Sequence, residues 1–320
     1  MRPGTLLTSA RFLPPLSASV LALALTATGC TTTQRCADGC LVEGDSETGS
    51  LTHDLDGWTP LLQSFDLAFT DGDRPPAVIA VGAVPPDGPT GPQFHLQLVD
   101  GDGNDPMRGS ARYVRWSQAT RVFFGLPEDS DYGVQRFVSQ SGCRRSCDLA
   151  IPGFDSSENV LILAGFRFRY PEGENNLREI GLWPHGVEPL GPRTFVRATL
   201  RDDDGAEPFD VEVSYVLFPT SWSNRGVAAG TAFGRPAPGP SLEVPLNPVW
   251  LGRIPLLGGF QLDYAESDEH LREIGVDAND RRIIMTLRDN DAAEQINVGA
   301  IYRGFCEAPL DENVHIMACP

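Results

Sequence analysis

The residues best suited to chemistry in this sequence are six acid-x-acid pairs. Three are Asp100/Asp102, Asp202/Asp204 and Asp289/Asp291, and three more are Asp71/Asp73, Glu172/Glu174 and Glu266/Asp268. In a turn that ends a strand, such a pair places two carboxylates on one side of the loop, where a hard cation such as Ca²⁺ can bridge them. Asp100-Gly-Asp102-Gly-Asn104 begins like an EF-hand loop, but Asp105 replaces the turn glycine and Ala111 the closing glutamate. The competing account is turn chemistry alone, since Asp and Asn are good turn formers. Calcium is the one cofactor expected, with Asp202, Asp204, Asp289, Asp291, Asp100 and Asp102 as its ligands.

Catalytic signatures are otherwise thin. There is no G-x-S-x-G, no H-E-x-x-H and no phosphate-cradling glycine loop. His53, His95, His185, His270 and His315 are scattered, without a second histidine at metal-ligand spacing. A glycosidase needs two carboxyls with separated pKa values. These acidic pairs recur in three copies of a repeat, whereas an active site is needed once. Repetition favours a structural or multivalent role.

That repeat is the element the chain is organised around. Its middle copy runs from Gly165 to Tyr215, its clearest partner from Gly259 to Tyr302, and a looser one from Ser64 to Tyr113. The opening segments align as Phe166/Phe168/Tyr170, Phe260/Leu262/Tyr264 and Phe65/Leu67/Phe69. In the second halves Leu200, Leu287 and Leu98 each precede a tyrosine by fifteen residues, at Tyr215, Tyr302 and Tyr113. An aromatic follows three residues later, at Phe218, Phe305 and Trp116. These matched aromatics read as core. Trp183, Trp222 and Trp250 have no counterparts. Trp183 and His185 lie in Leu-Trp-Pro-His-Gly, read as a hairpin loop of the middle copy, and Trp222 in Thr-Ser-Trp-Ser-Asn. Amphipathic aromatics of this kind stack on sugar rings, so Trp183, His185 and Trp222 are the candidate ligand-binding residues.

The alternation Phe166-Arg-Phe168-Arg-Tyr170 has period two, which buries one face and turns the arginines to water. Leu177-Arg-Glu-Ile180-Gly181 also suits a helical turn. The first copy reads Val78-Ile-Ala-Val-Gly82 there, which is β-branched and favours a strand. Each module is thus about four antiparallel strands in two hairpins, and the fold class is all-β. The sheets form either three sandwich-like domains or one assembly around a shared core.

The expected divisions are a signal peptide at 1–29, a flexible tether at 30–57, and β modules at 58–117, 161–219 and 255–320. Segments 118–160 and 220–254 separate them, with residues 226–240 of the latter ending as a Pro/Gly loop. At 320 residues with a formal charge of −18, and with arginine as the only strong base, the chain argues against nucleic acid or an anionic membrane surface as partner. It suits cations, sugars or basic proteins.

Residues 1–29 join Arg2 and Arg11 to an apolar run from Leu16 to Leu25, and Ala27-Thr28-Gly29 precede Cys30. This resembles the lipobox of bacterial lipoproteins, although Ala27 stands where a leucine is usual. The resemblance implies acylation of Cys30, membrane contact only through that lipid, and, with Thr31 rather than aspartate behind it, the outer membrane of a Gram-negative host. Six cysteines remain, Cys36, Cys40, Cys143, Cys147, Cys306 and Cys319, and an even number in an exported chain reads as disulfides. Fifteen connectivities are open, with Cys143–Cys147 and Cys306–Cys319 expected from proximity.

The pattern GFxFxY…hxxIG…LxDxD…VxVxY resembles β-rich segments of uncharacterised secreted bacterial proteins. In its Phe-rich opening strand it is similar to H-type lectin sandwiches, a likeness of fold that carries over no binding residue. The expectation is a non-catalytic surface lipoprotein with lectin-like or adhesive modules, its partner a carbohydrate or an envelope protein. A glycoside hydrolase and a purely structural envelope component are the alternatives.

Overall fold

The structure, a computed structural model, describes residues 31–36, 40–70, 75–85, 93–101, 105–123, 126–127, 129–170, 176–186, 193–202, 207–223, 230–233, 237–238, 240–245, 253–264, 270–279, 281–289, 295–308 and 315–317. Nearly all of them lie in strands. In chain order these are β1 (Thr31–Cys36), β2 (Cys40–Ser46) and β3 (Ser50–Asp54), then the first module, β4 (Thr59–Phe69), β5 (Pro76–Ala83), β6 (Gln93–Asp100) and β7 (Met107–Trp116). Helix α1 (Gln118–Phe123), β8 (Gln135–Arg144) and β9 (Ser146–Ala150) lead to the second module, β10 (Asn159–Arg169), β11 (Leu177–Gly186), β12 (Arg193–Asp202) and β13 (Pro208–Pro219). Helix α2 (Thr220–Ser223), β14 (Gly230–Phe233), β15 (Ala237–Pro238) and β16 (Ser241–Pro245) precede the third, β17 (Arg253–Tyr264), β18 (Leu271–Ala278), β19 (Arg282–Asp289) and β20 (Gln295–Ala308), and β21 (His315–Met317) follows.

The modules exchange strands in a closed cycle. Within each, the first strand pairs with the last: β4 with β7, β10 with β13, β17 with β20. The two inner strands form a hairpin that crosses to a neighbour. The β5–β6 hairpin joins β10, β11–β12 joins β17, and β18–β19 joins β4. Consecutive strands such as β4 and β5 therefore part into different sheets, which corrects the expectation of two self-paired hairpins per module. Three faces result. One is the sheet β1-β2-β7-β4-β18-β19-β16; the other two belong to a larger sheet that runs from β14 to β3. The halves of that larger sheet meet at the β8–β9 hairpin through one residue pair, Arg144 and Ser146.

The three first strands, β4, β10 and β17, pack against one another inside. Phe65, Phe166 and Phe260 meet there, with ring centroids 5.3, 5.3 and 5.1 Å apart. That is the spacing edge-on aromatic pairs prefer, worth about 0.5–1.5 kcal/mol per pair beyond the area buried. A second cluster closes one end, where Phe218 contacts both Trp116 and Phe305. Of the two arrangements left open by the sequence, the shared core is the one present.

The repeat extends to backbone irregularities. Each first strand carries a bulge at the same place, between Leu62 and Ser64, Leu163 and Gly165, and Leu257 and Gly259. A bulge turns carbonyls out of the ladder, and buried Tyr302 Oη donates to the carbonyl of bulged Gln63 at 3.0 Å. Gly165 lies opposite Gly82, where a Cβ on Gly165 would come 2.4 Å from the Ala83 oxygen.

Several expectations change. Within the stretch expected to be a free tether, residues 31–36, 40–46 and 50–54 form β1–β3, with Val42 and Leu51 buried. Arg167 does not face water; it is 1% exposed and paired with Glu212 at 3.1 Å. Leu177–Gly181 is strand, as the β-branched first copy implied, but Ile180 aligns with Ile79 rather than Val81, since these face Leu262 and Phe168 respectively. Cys143 and Cys147 are bridged, tying β8 to β9. Cys40 is also in a disulfide, and Cys36 stands opposite it across β1–β2. The side chains of Cys36 and Cys306, together with Cys30 and Cys319, lie outside the described residues.

Candidate functional site

Each outer face has at its centre one residue from a first strand, one from an inner strand and one from that strand's hairpin partner. The register makes these Gln261, Gly181 and Thr199 on one face, Asp66, Gly275 and Thr286 on the second, and Arg167, Ala80 and Gln97 on the third. A glycine inside a strand leaves a depression in the pleated surface. Grooves open over Gly181 and over Gly275, of about 370 and 340 Å³. The third centre is filled, with Ala80 fully buried and the Arg167 guanidinium held by Glu212 and, at 3.4 Å, the Pro85 carbonyl.

The groove over Gly181 has the richer chemistry. Strand β11 aligns Glu179, Gly181, Trp183 and His185 along one face, because alternate residues share a side. Strand β12 adds Arg197, Thr199 and Arg201, β17 adds Gln261, and the β8–β9 turn adds Arg145 and Ser146. Trp183 and His185 are half-buried and line the groove wall.

The polar groups are held in place by one another. Arg197 grips Asp148 through two parallel bonds of 2.9 and 3.2 Å, which hold the Asp148 carboxyl below the usual range and raise Arg197. Arg201 bridges Glu179 at 3.2 Å and Asp263 at 3.3 Å, and Gln261 Nε2 donates to Glu179 at 2.7 Å. Burial pushes both carboxyls up, against the Gln261 bond at Glu179 and against Arg201 at Asp263. The charges nearly balance. What the groove offers is mutually held donors and acceptors beside an indole.

The sequence candidates fare differently. Trp183 and His185 come together, on a paired strand rather than in a hairpin loop, with Trp183 opposite Arg197. Trp222 is not placed with them: α2 packs against β10, β13 and β20, and its tryptophan side chain lies outside the described residues. Asp100, Asp202 and Asp289 occupy one equivalent position at the ends of β6, β12 and β19, and all three are buried. Around Asp202, Tyr170 Oη donates to Glu207 at 3.2 Å. Burial and a hydrogen bond to Asp202 push that hydroxyl far up, and Asp202 raises Glu207 in turn. Asp102, Asp204 and Asp291, like the three other pairs, lie outside the described residues. Among the described residues no three His, Cys, Asp or Glu side chains group closely enough to hold a metal ion.

Arg145, Arg197, Arg201, Glu179 and Gln261 were not singled out by sequence. A signal for their location did exist, since Arg-Glu-Ile-Gly occurs twice, at 178–181 and 272–275, and a repeated strand glycine marks a depression or a close approach. No protein-family model matches the chain, and no curated protein matches it.

Proposed function

We propose that this chain is a non-catalytic, lipid-anchored surface protein that binds carbohydrate through the groove over Gly181. The observation that carries the reading is the juxtaposition of Trp183 and His185 with the linked Arg201, Glu179, Asp263 and Gln261 on one open, rigid sheet face. Sugar rings need an apolar plate and bidentate hydrogen-bonding partners, and this face supplies both. A glycan array probed with the full chain tests it, with retention on a defined class of glycans expected and Trp183→Ala weakening it.

One observation favours a second reading, a glycoside hydrolase. Glu179 and Asp263 face each other across β11 and β17, and burial raises both. Their shared tie to Arg201 leaves neither free to protonate a leaving group or attack a sugar, so binding is the better account. Turnover of a glycoside panel, lost in Glu179→Gln, would reverse that order. Silence in both assays would leave a structural envelope component.

The anchor and the cation belong to the same proposal. Cys30 carries the lipid and directs the chain to the outer membrane, so Cys30→Ser protein leaves the membrane fraction. Calcium at the D-x-D loops would relieve repulsion between neighbouring carboxylates, on the order of 1 kcal/mol per contact in water. Excess chelator then lowers the melting temperature; an unchanged value makes these loops ordinary turns.

A further inference from the structure

Each face carries an added strand outside its last one: β2 outside β7, β8 outside β13 and β14 outside β20. Strands β2 and β8 occupy one position of the repeat, since Cys40 stands opposite Tyr113 and Arg136 opposite Tyr215. They differ at the outer edge. On β2 that edge is covered by β1, which lies antiparallel along residues 40–45. On β8 the matching stretch is residues 136–141. Among the described strands only β9 meets that edge, at the single pair Arg144 and Ser146. Phe137, Ser139, Gln140, Ser141 and Gly142 are exposed along it. An open edge presents a row of unpaired N–H and C=O groups, which proteins commonly block with charged side chains. From Phe137 to Gly142 there is no charge.

We infer that β8 is an interface strand, pairing antiparallel with β8 of a second copy of this chain about a two-fold axis near Ser139. Three observations select that occupant. The strand laid on the matching edge of β2 begins Thr31-Thr-Thr-Gln34, which is small, polar and uncharged, and β8 reads Val138-Ser-Gln-Ser141. The chain carries a formal charge of −18, so two copies meet at least electrostatic cost over an uncharged strip. The ends of this strip differ in sign: Arg144 is exposed beyond one, and Asp129 and Asp131 before the other, Asp131 being held by Arg136. Residues equally far from a two-fold axis lie opposite each other in an antiparallel pair. Centring on Ser139 therefore sets Arg144 of each copy beside Val134 of the other, toward its Asp129. The pairing also covers Phe137, which is 46% exposed. None of this depends on the groove over Gly181. One strand pair buries less than a standard interface, so the dimer is weak and denaturation at low micromolar concentration reads the monomer.

Two measurements on the full chain test this. Sedimentation equilibrium in density-matched detergent should show monomer and dimer in exchange at about 200 μM, where weak interfaces are populated. Ser139→Lys sets two like charges together on the axis and should leave only monomer with an unchanged melting temperature, whereas Ser139→Ala should still dimerise. Arg144→Asp should weaken the dimer several-fold, and Asp129→Arg added to it should restore the affinity. In the second measurement, mild oxidation of Ser139→Cys should bridge residue 139 of one copy to residue 139 of the other, as identified by mass mapping. Val122→Cys, at an exposed position on α1, should not bridge. A wild-type chain that stays monomeric, a dimer that survives Ser139→Lys or Arg144→Asp, a charge exchange that restores nothing, or bridging at residue 139 no better than at residue 122 would overturn the inference.

Discussion

Phe65, Phe166 and Phe260 occupy one position of the repeat and touch each other at its centre, so each supports all three modules. Phe166→Ala should cost about 3–5 kcal/mol in urea denaturation, the range for a large buried aromatic, while Phe137→Ala, 46% exposed on β8, should cost almost nothing. Asp66 is the residue whose titration matters most. Its carboxyl, raised to about 6, holds a proton more tightly in the folded protein than in the unfolded chain. Its ionisation therefore opposes folding, and the stability it allows at low pH is lost as pH rises from about 4 to 6, by roughly 1–3 kcal/mol. Asp66→Asn removes that loss, so wild type and variant should diverge in stability over this window and run parallel above it. Parallel curves throughout would show that Asp66 titrates as an ordinary carboxylate.

Strands carry the next level of the account. The β8–β9 hairpin is a covalently braced seam between the two halves of the large sheet, with Cys143 bridged to Cys147 beside the Arg144–Ser146 pair. A loop this short constrains the unfolded chain by about 2 kcal/mol. Replacing both cysteines with serine should lower the urea midpoint accordingly, and non-reducing mass mapping should recover the bridge from wild type. Strand identity was largely legible beforehand: period-two alternation at 166–170, 196–200 and 211–215 predicted strands that exist. Pairing was not. Alternation states which side chains share a face, but not which strand lies alongside, and the crossover of β11–β12 to β17 rests on contacts about eighty residues apart, such as Ile180 with Leu262. Arg167 illustrates the same limit, since its burial depends on Glu212 and the Pro85 carbonyl, neither of them near in sequence.

At the level of the molecule, the cycle of exchanged hairpins makes the modules interdependent. Removing residues 255–320 would strip β4 of β18 and leave β11 without β17. The truncated chain should fail to fold, and the intact chain should unfold in one calorimetric transition rather than three. The triplication was readable because its aromatics and leucines keep register. The groove was readable only in part, because Trp183 has a visible signature while Arg197 and Arg201 look like ordinary outward strand arginines until Asp148, Glu179 and Asp263 are brought beside them. The most direct measurement of the central claim is the affinity of the intact chain for the glycan that an array selects, compared with Trp183→Ala of equal melting temperature. The account predicts a loss of about 2 kcal/mol, near thirtyfold in Kd, and an unchanged Kd would contradict it.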